Sequence, residues 1–335
     1  MMKQGDKTLN VSVVVPCYNA ATTLGECLDA LLAQSVKPFE VIVVDDASTD
    51  DSVRIAVERE SVRVVSLPFN SGAAAARAAG AGRTAGDVIM FVDADVALRP
   101  DAIEKALERL SANDKPDAIV GMYGARAPGG DFYSVAHNYF TVYNHSRQEG
   151  PIQWFWGAIG MVRKDAFKAV GGFDQRRYSG ASAEDIELGF RMTRADYRII
   201  IDHSIVGDHL VRFSLSRILH NDFRKSALGV QLFIEENRRL DQKHGFASLT
   251  NGASVALAAF SVLGAIAWVV GIVSLTAALL PPAIFYIVNL PYLRYLKNQE
   301  GIAFTVKAAV LHLASFIAIA CGAPFGYLQY IRDRK

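Results

Sequence analysis

The stretch Asp87-Val-Ile-Met-Phe-Val-Asp93-Ala94-Asp95-Val96 decides how the rest of the chain is read. Val88 to Val92 show no polar alternation, the pattern of a strand covered on both faces. Two carboxylates stand one residue apart at its carboxyl end, where open α/β sheets collect their ligands. Two hard oxygen ligands suit Mg2+ or Mn2+, which take one or two carboxylates and share other positions with phosphate oxygens. A plain acidic turn has the same spelling, so the pair needs support from its neighbours.

Towards the N-terminus, Val11 to Val15 form a β-branched strand stopped by Pro16, and Cys17-Tyr18-Asn19 follow as a loop. Leu24, Cys27, Leu28, Leu31 and Leu32 have helical spacing. Phe39 to Val44 is a second strand ending in Asp45-Asp46, and Ser48-Thr49-Asp50 offer caps for the next helix. Val62 to Leu67 is a third strand. Asn70-Ser71-Gly72 then turns into an alanine-rich helix carrying Arg77. Past the acidic pair, Pro100 opens a helix and Asp117 to Gly121 reads as another strand. Strand and helix alternating at this rhythm imply a parallel sheet with helices on both faces. Three strands then end in polar loops on one edge, at Asn19, at Asp45-Asp46 and at Asp93-Asp95. Neither Gly-x-Gly-x-x-Gly nor a phosphate-cradling Gly-x-x-x-x-Gly-Lys appears, so phosphates would be held through a divalent cation.

From Gly130 to Trp156 the pattern is irregular and aromatic. Gly157 to Val162 reads as a strand, Asp165 to Val170 as a short helix closed by Gly171-Gly172, and Arg198 to Ile201 as a last strand before Asp202-His203 and Asp208-His209. Ser182 with Asp185 loosely fits a capping box opening the helix Glu184 to Arg191. A net charge of +1 without a basic run argues against nucleic-acid binding. Cys17, Cys27 and Cys321 match neither a zinc spacing nor a disulfide framework, which fits a reduced cytosolic setting.

Gly252 to Leu293 contains no charged residue, enough for two membrane crossings of roughly 20 residues each. Pro281-Pro282 lies inside this run, where a turn or kink between the crossings is expected. Ala308 to Tyr330 is uncharged apart from His312 and is a third span, a re-entrant segment or an interfacial one. The chain thus divides into a soluble domain (1–212), a basic interfacial helical linker (213–250, with Arg217, Arg224, Lys225, Arg238, Arg239 and Lys243) and a transmembrane domain of two to three spans (251–335). Arg294 and Lys297 after the second crossing put the soluble domain on the cytoplasmic side of the cell membrane.

Six motifs, in order, resemble those of the family 2 glycosyltransferases, inverting enzymes of the GT-A fold. They are Val-Val-Pro-Cys-Tyr-Asn19, Val-Val-Asp-Asp46-Ala-Ser-Thr-Asp50, Asn70-Ser-Gly-Ala-Ala-Ala-Ala-Arg77, Phe-Val-Asp93-Ala-Asp95, Gly-Gly-Phe-Asp174 and Glu184-Asp185-Ile-Glu-Leu-Gly-Phe-Arg191. The resemblance covers about Leu9 to Leu210 and implies an α/β, Rossmann-like nucleotide-diphospho-sugar transferase domain with a mainly parallel sheet. It implies that Pro16, Tyr18, Asn19 and Asp46 contact the base and ribose of a UDP-, GDP- or dTDP-sugar, with Arg77 also on the donor side. It implies Asp93 near the ribose or metal, Asp95 on the divalent cation, His209 near the metal or diphosphate, and Asp185 as general base. Glu184, Trp154 and Trp156 are expected on the acceptor side, although tryptophans so placed also suit a core.

The chemistry matches these residue types. A leaving diphosphate needs a cation, and an attacking hydroxyl needs a carboxylate to take its proton. The dipole of the helix that Asp185 opens favours its anion. Two departures stand out: Ala78-Ala79 follow Arg77 where relatives have Ala-Arg-Asn, and Asp196 replaces a glycine. The Gln-x-x-Arg-Trp motif of processive synthases is absent, which favours single-sugar transfer. The expectation is a membrane-anchored, metal-dependent inverting glycosyltransferase acting on a lipid-linked glycan or other membrane-associated acceptor. A polyprenyl-phosphate glycosyl synthase and a non-catalytic membrane scaffold are the alternatives.

Overall fold

Residues 9–125, 127, 130–175, 183–235 and 248–332 are described by the computed structural model. The strands are β1 (Val11–Cys17), β2 (Glu40–Asp45), β3 (Val62–Ser66), β4 (Val88–Val92), β5 (Val96–Leu98), β6 (Ala118–Tyr123), β7 (Pro151–Ile152), β8 (Ile159–Arg163) and β9 (Ile199–His209). The helices are α1 (Leu24–Leu32), α2 (Ser52–Val57), α3 (Ala73–Ala81), α4 (Ala102–Leu110), α5 (Phe132–Ser146), α6 (Lys164–Ala169), α7 (Glu184–Arg194), α8 (Leu215–Glu235), α9 (Leu249–Val269), α10 (Leu275–Val288) and α11 (Leu290–Arg332).

The strands join in the order β3-β2-β1-β4-β8-β6-β9-β5, with β7 on β9. β3, β2, β1 and β4 are mutually parallel, so their carboxyl ends share one edge. β8 then enters antiparallel between β4 and β6, and β6 and β9 run parallel again. The antiparallel insertion matters for the site. It sets the start of β8 against the end of β4, with Val92 opposite Ile159 and the Asp93 N–H donating to the Ala158 carbonyl at 3.2 Å. β9 runs beyond the expected Ile201 to His209, because β5 pairs with its far end. Val96 faces His209 there, which carries the histidine to the acidic turn. In the core, Phe91 of β4 meets Phe155, Phe167 and Phe173 at ring separations of 5.1 to 6.2 Å.

The chain falls into two compact units: residues 1–129 with 148–211, and 130–147 with 212–335. The aromatic stretch read as irregular is largely α5, capped by Asp131, whose Oδ1 accepts the Ser134 N–H at 3.0 Å. Its aromatic side faces the C-terminal helices. Phe140 packs on Tyr292 and Phe316, and the Tyr139 hydroxyl donates to Glu300 at 2.7 Å. Three polar side chains are paired inside this unit: Asn289 donates to Ser254 at 2.9 Å and lies 3.0 Å from His312. Along α8 and α11, Gly322 and Gly326 allow close contact, since a Cβ on Gly326 would meet the Ala227 carbonyl at 2.1 Å.

The break in the uncharged run falls at Gly271 (φ +76°), a left-handed helix terminus, and Ser274 caps α10. Pro281-Pro282, where a turn or kink is expected, lie inside α10, so the turn is not there. α11 kinks at Gly301. α9 and α11 are long and apolar enough to cross a membrane. Phe260, Leu263, Ile266, Val269, Leu280, Val306, Val310 and Leu328 are exposed on this unit. Of the basic linker, Arg238, Arg239 and Lys243 lie outside the described residues.

Candidate active site

The site begins at the shared edge of β1, β2 and β4. Pro16 lies within β1, opposite Val44, and Tyr18 just past it is 50% exposed. Asn19 takes a left-handed conformation (φ +49°), which its short amide tolerates. Its Oδ1 accepts the Thr49 N–H at 2.8 Å, and its own N–H donates to Ser48 Oγ at 3.0 Å. The loops after β1 and β2 are thereby tied together. Asp46 is buried, and its two oxygens accept the N–H groups of Ser71 at 2.7 Å and Gly72 at 2.8 Å. It therefore fixes the entry of α3, where Gly72 sits at φ +86°.

α3 lies so close to the sheet that a Cβ on Gly80 would meet Val14 Cγ1 at 2.4 Å. This depth carries Arg77 beneath the end of β4. The sequence expects Arg77 beside the donor; the structure closes it between carboxylates, 5% exposed. One Nη donates to Asp93 Oδ1 and the other to Glu184 Oε1, both at 2.6 Å. The Phe173 ring lies 5.8 Å from the guanidinium carbon, and the backbone of Gly157 covers the group. Burial opposes the charge on Arg77, but Asp93, Glu184 and Asp185 outweigh it and hold the cation.

Glu184 and Asp185 open α7, whose N-cap is Ala183; the expected cap Ser182 lies outside the described residues. α7 seats on the main chain of Trp154 and Phe155 because Gly189 has no side chain there. Asp185 Oδ2 accepts the Gly157 N–H at 3.1 Å, and Oδ1 accepts the Ile186 N–H at 2.8 Å. Crowding by protein raises both carboxyls, with Arg77 pulling back; Glu184 is pushed up to about 7. For Asp185 the loss of water is the largest influence and raises the carboxyl, against the helix dipole, which favours the anion.

At the acidic turn, Asp95 Oδ2 lies 3.8 Å from His209 Nε2. Asp95 Oδ1 is buried and has no hydrogen-bond partner, as have Glu184 Oε2 and Arg77 Nε. A buried carboxylate oxygen without a donor is a natural ligand for Mg2+ or Mn2+, and His209 is the second side chain in reach. Among the described residues no three His, Cys, Asp or Glu side chains converge on one point, so these two would leave further positions to other ligands.

Residues 12–171 match Glycosyl transferase family 2. The chain is similar to Glycosyltransferase AglE of Haloferax volcanii, 25% identical over 230 residues, covering 67% of this chain and 74% of that one. It is also similar to Glycosyltransferase GlyG of Streptococcus pneumoniae, 34% identical over 127 residues, 37% of this chain and 42% of that one. Several curated relatives are thus spanned over less than half their length. Mannosyltransferase PcManGT from Pyrobaculum calidifontis, solved with GDP-Man and Mn2+, shares the fold: TM-score 0.64, 24% identity, 92% of this chain and 88% of that one. The N-terminal part of the chain is a glycosyl transferase family 2 domain.

The fold brings Asp93 and Arg77 together with Glu184 and Asp185, and Asp95 with His209; Glu184, Asp185 and His209 lie beyond the matched residues 12–171. Trp154 is a correction. It is 5% exposed and sits in the core with Phe155, leaving no open face for a sugar. Trp156 keeps partial exposure and meets Tyr123 edge-on at 4.6 Å. Two residues of this site were missed from sequence. Tyr123 stacks flat on His209 at 4.4 Å, with an interplanar angle of 6°. Gly157 binds Asp185 and has room for no side chain. Its place at the head of a strand, next to an aromatic triplet, was the available signal.

Proposed function

We propose that the chain is an inverting, metal-dependent glycosyltransferase, anchored in the cell membrane with its catalytic domain cytoplasmic. It moves a sugar from a UDP-, GDP- or dTDP-sugar to a hydroxyl of a lipid-linked glycan or other membrane-associated acceptor. One observation carries this reading: a single guanidinium holds Asp93 and Glu184, so the acidic end of β4 and the acidic start of α7 are tied to each other. The cation side, Asp95 with His209, and the base side, Asp185, are each within two residues of that junction or paired to it. The metal and donor classes are supported by the solved relative bound to GDP-Man and Mn2+. The anchor is supported by α9 and α11, with their exposed apolar surface.

In this mechanism the loop at Tyr18 and Asn19, tied to the loop after β2, receives the nucleotide, and Asp46 holds the entry of α3 beside it. Asp95 and His209 would hold Mg2+ or Mn2+, which supplies positive charge to the departing diphosphate. Asp185 takes the proton of the acceptor hydroxyl as oxygen attacks the anomeric carbon from the face opposite the diphosphate. A base with a raised pKa is the better proton acceptor. Asp185 reaches that state by crowding, while Arg77 keeps it from rising further.

The test is release of nucleoside diphosphate from a panel of UDP-, GDP- and dTDP-sugars by the full chain in detergent, with Mn2+ and a polyprenyl-linked acceptor. We expect turnover of one donor, abolished in Asp185→Asn with nucleotide binding kept. Binding of no nucleotide would leave a scaffold. Near-normal turnover by Asp185→Asn would favour a phosphate acceptor, which needs no strong base.

A further inference from the structure

We propose that Arg77 is a positioning residue: clamped between Asp93 and Glu184 under the Gly157 backbone, it sets where the Asp185 carboxylate points. The inference rests on the reading of Asp185 as the base. Two paths run from the guanidinium to that carboxylate. Through Glu184, Arg77 fixes the first residue of α7, and Asp185 is the next. Through Gly157, it fixes a donor: a Cβ there would lie 2.8 Å from both Arg77 Cζ and Nε, so the peptide rests on the guanidinium plane, and the Gly157 N–H donates to Asp185 Oδ2 at 3.1 Å. Asp93 anchors the other nitrogen at 2.6 Å, so the clamp is referenced to the sheet.

The geometry asks for a planar fork. A lysine ammonium is a point charge and reaches one carboxylate of the two. At 5% exposure, enclosed also by Phe173, Arg77 has little surface left for a donor. The charged groups facing Asp185 are Arg77 from α3, Asp93 from the end of β4 and Glu184 from its own helix. Arg77 is the cation among these, and removing it leaves carboxylates facing one another.

The experiment compares the wild type, Arg77→Met, Arg77→Lys, Glu184→Gln and the double variant Arg77→Met/Glu184→Gln. Readouts are kcat with the donor the wild type turns over, its pH profile, the Kd for Mn2+ with GDP or UDP, and the melting temperature. We expect kcat of Arg77→Met to fall about 100-fold or more while the nucleotide Kd moves less than about threefold. Its acid limb should shift up by about one pH unit as the nearby positive charge is lost. Arg77→Lys keeps the charge, so its limb stays in place while kcat still falls. The double variant should be no slower than Arg77→Met. Should Arg77→Met fail to fold, Arg77→Lys and Glu184→Gln carry the same test, each with reduced kcat and unchanged nucleotide Kd. A nucleotide Kd weakened in step with kcat would overturn the inference and make Arg77 a donor ligand. Unchanged kcat in the folded variants would overturn it too. If the wild type itself binds no nucleotide, the functional reading fails first and takes this inference with it.

Discussion

Replacing Gly189 with alanine tests how α7 is seated. The added Cβ would stand 2.3 Å from the Phe155 nitrogen and 2.5 Å from the Trp154 Cα and carbonyl carbon. These are main-chain atoms of a segment held in the core, so they cannot swing aside as a side-chain tip does. Reaching ordinary van der Waals separation needs α7 to withdraw by about 1 Å. Overpacking of this kind costs about 1–3 kcal/mol, which for a domain of this size lowers Tm by roughly 2–12 °C. The catalytic effect should be larger than the thermal one. Asp185, the proposed base, lies one turn before Gly189 on α7, and a displacement of about 1 Å at a reacting group costs on the order of 100-fold in rate. The assay pairs a melting curve with nucleoside diphosphate release, using Gly229→Ala as control, since a Cβ on Gly229 meets nothing within 4 Å. A Gly189→Ala protein that melts and turns over like the wild type would refute this account of how α7 is placed.

Ala47 holds a left-handed conformation at φ +61° in the loop after β2, which costs an L-residue about 1–2 kcal/mol. Ala47→Gly should therefore gain about 0.5–1 kcal/mol after the extra freedom of glycine in the unfolded chain is subtracted, read as a rise in Tm. His209→Ala should weaken Mn2+ binding in the presence of GDP or UDP at least about tenfold, measured by titration calorimetry; unchanged affinity would remove His209 from the metal side. Asp222 on α8 is crowded by protein, against a bond to Ser315 and the charge of Lys225, and is raised to about 6. A carboxyl with a raised folded pKa binds more protons folded than unfolded. Its contribution is complete below the ordinary value near 4 and is lost as pH rises through about 6. Asp222→Asn should thus melt higher than the wild type at pH 7.5 and lose that advantage at pH 4, and a constant difference across this range would contradict the assignment.

Residue order alone conveyed the parallel half of the sheet, because β1, β2 and β4 are apolar runs bounded by polar turns. It also conveyed the acidic ends of β2 and β4 and the acids opening α7, and Asp196, which stands in place of a glycine, takes the left-handed conformation at φ +61°. What it missed is non-local. The direction of β8 cannot be read from an apolar pentapeptide, since parallel and antiparallel neighbours cover it equally. Arg77 meets Glu184 across 107 positions, and no local rule pairs them. Read locally, the last strand ends at Ile201, before the polar Asp202-His203, yet β9 continues through them to His209, where β5 pairs with its far end. Aromatic residues crowd the 130–147 stretch without a clear polar face, because α5 buries them against other helices.

That placement of α5 has a consequence for making the protein. The ribosome delivers Tyr139 and then Glu300, its hydrogen-bond partner, 161 residues later. At about 5–20 residues per second, α5 waits roughly 10–30 s for its neighbours to be synthesised. During that interval Tyr139, Phe140 and Tyr143 form a sticky, uncovered surface. A shortened version cut at residue 212 would never cover it. Such a version should clump unless the 130–147 helix is removed or its aromatic residues are replaced by polar ones.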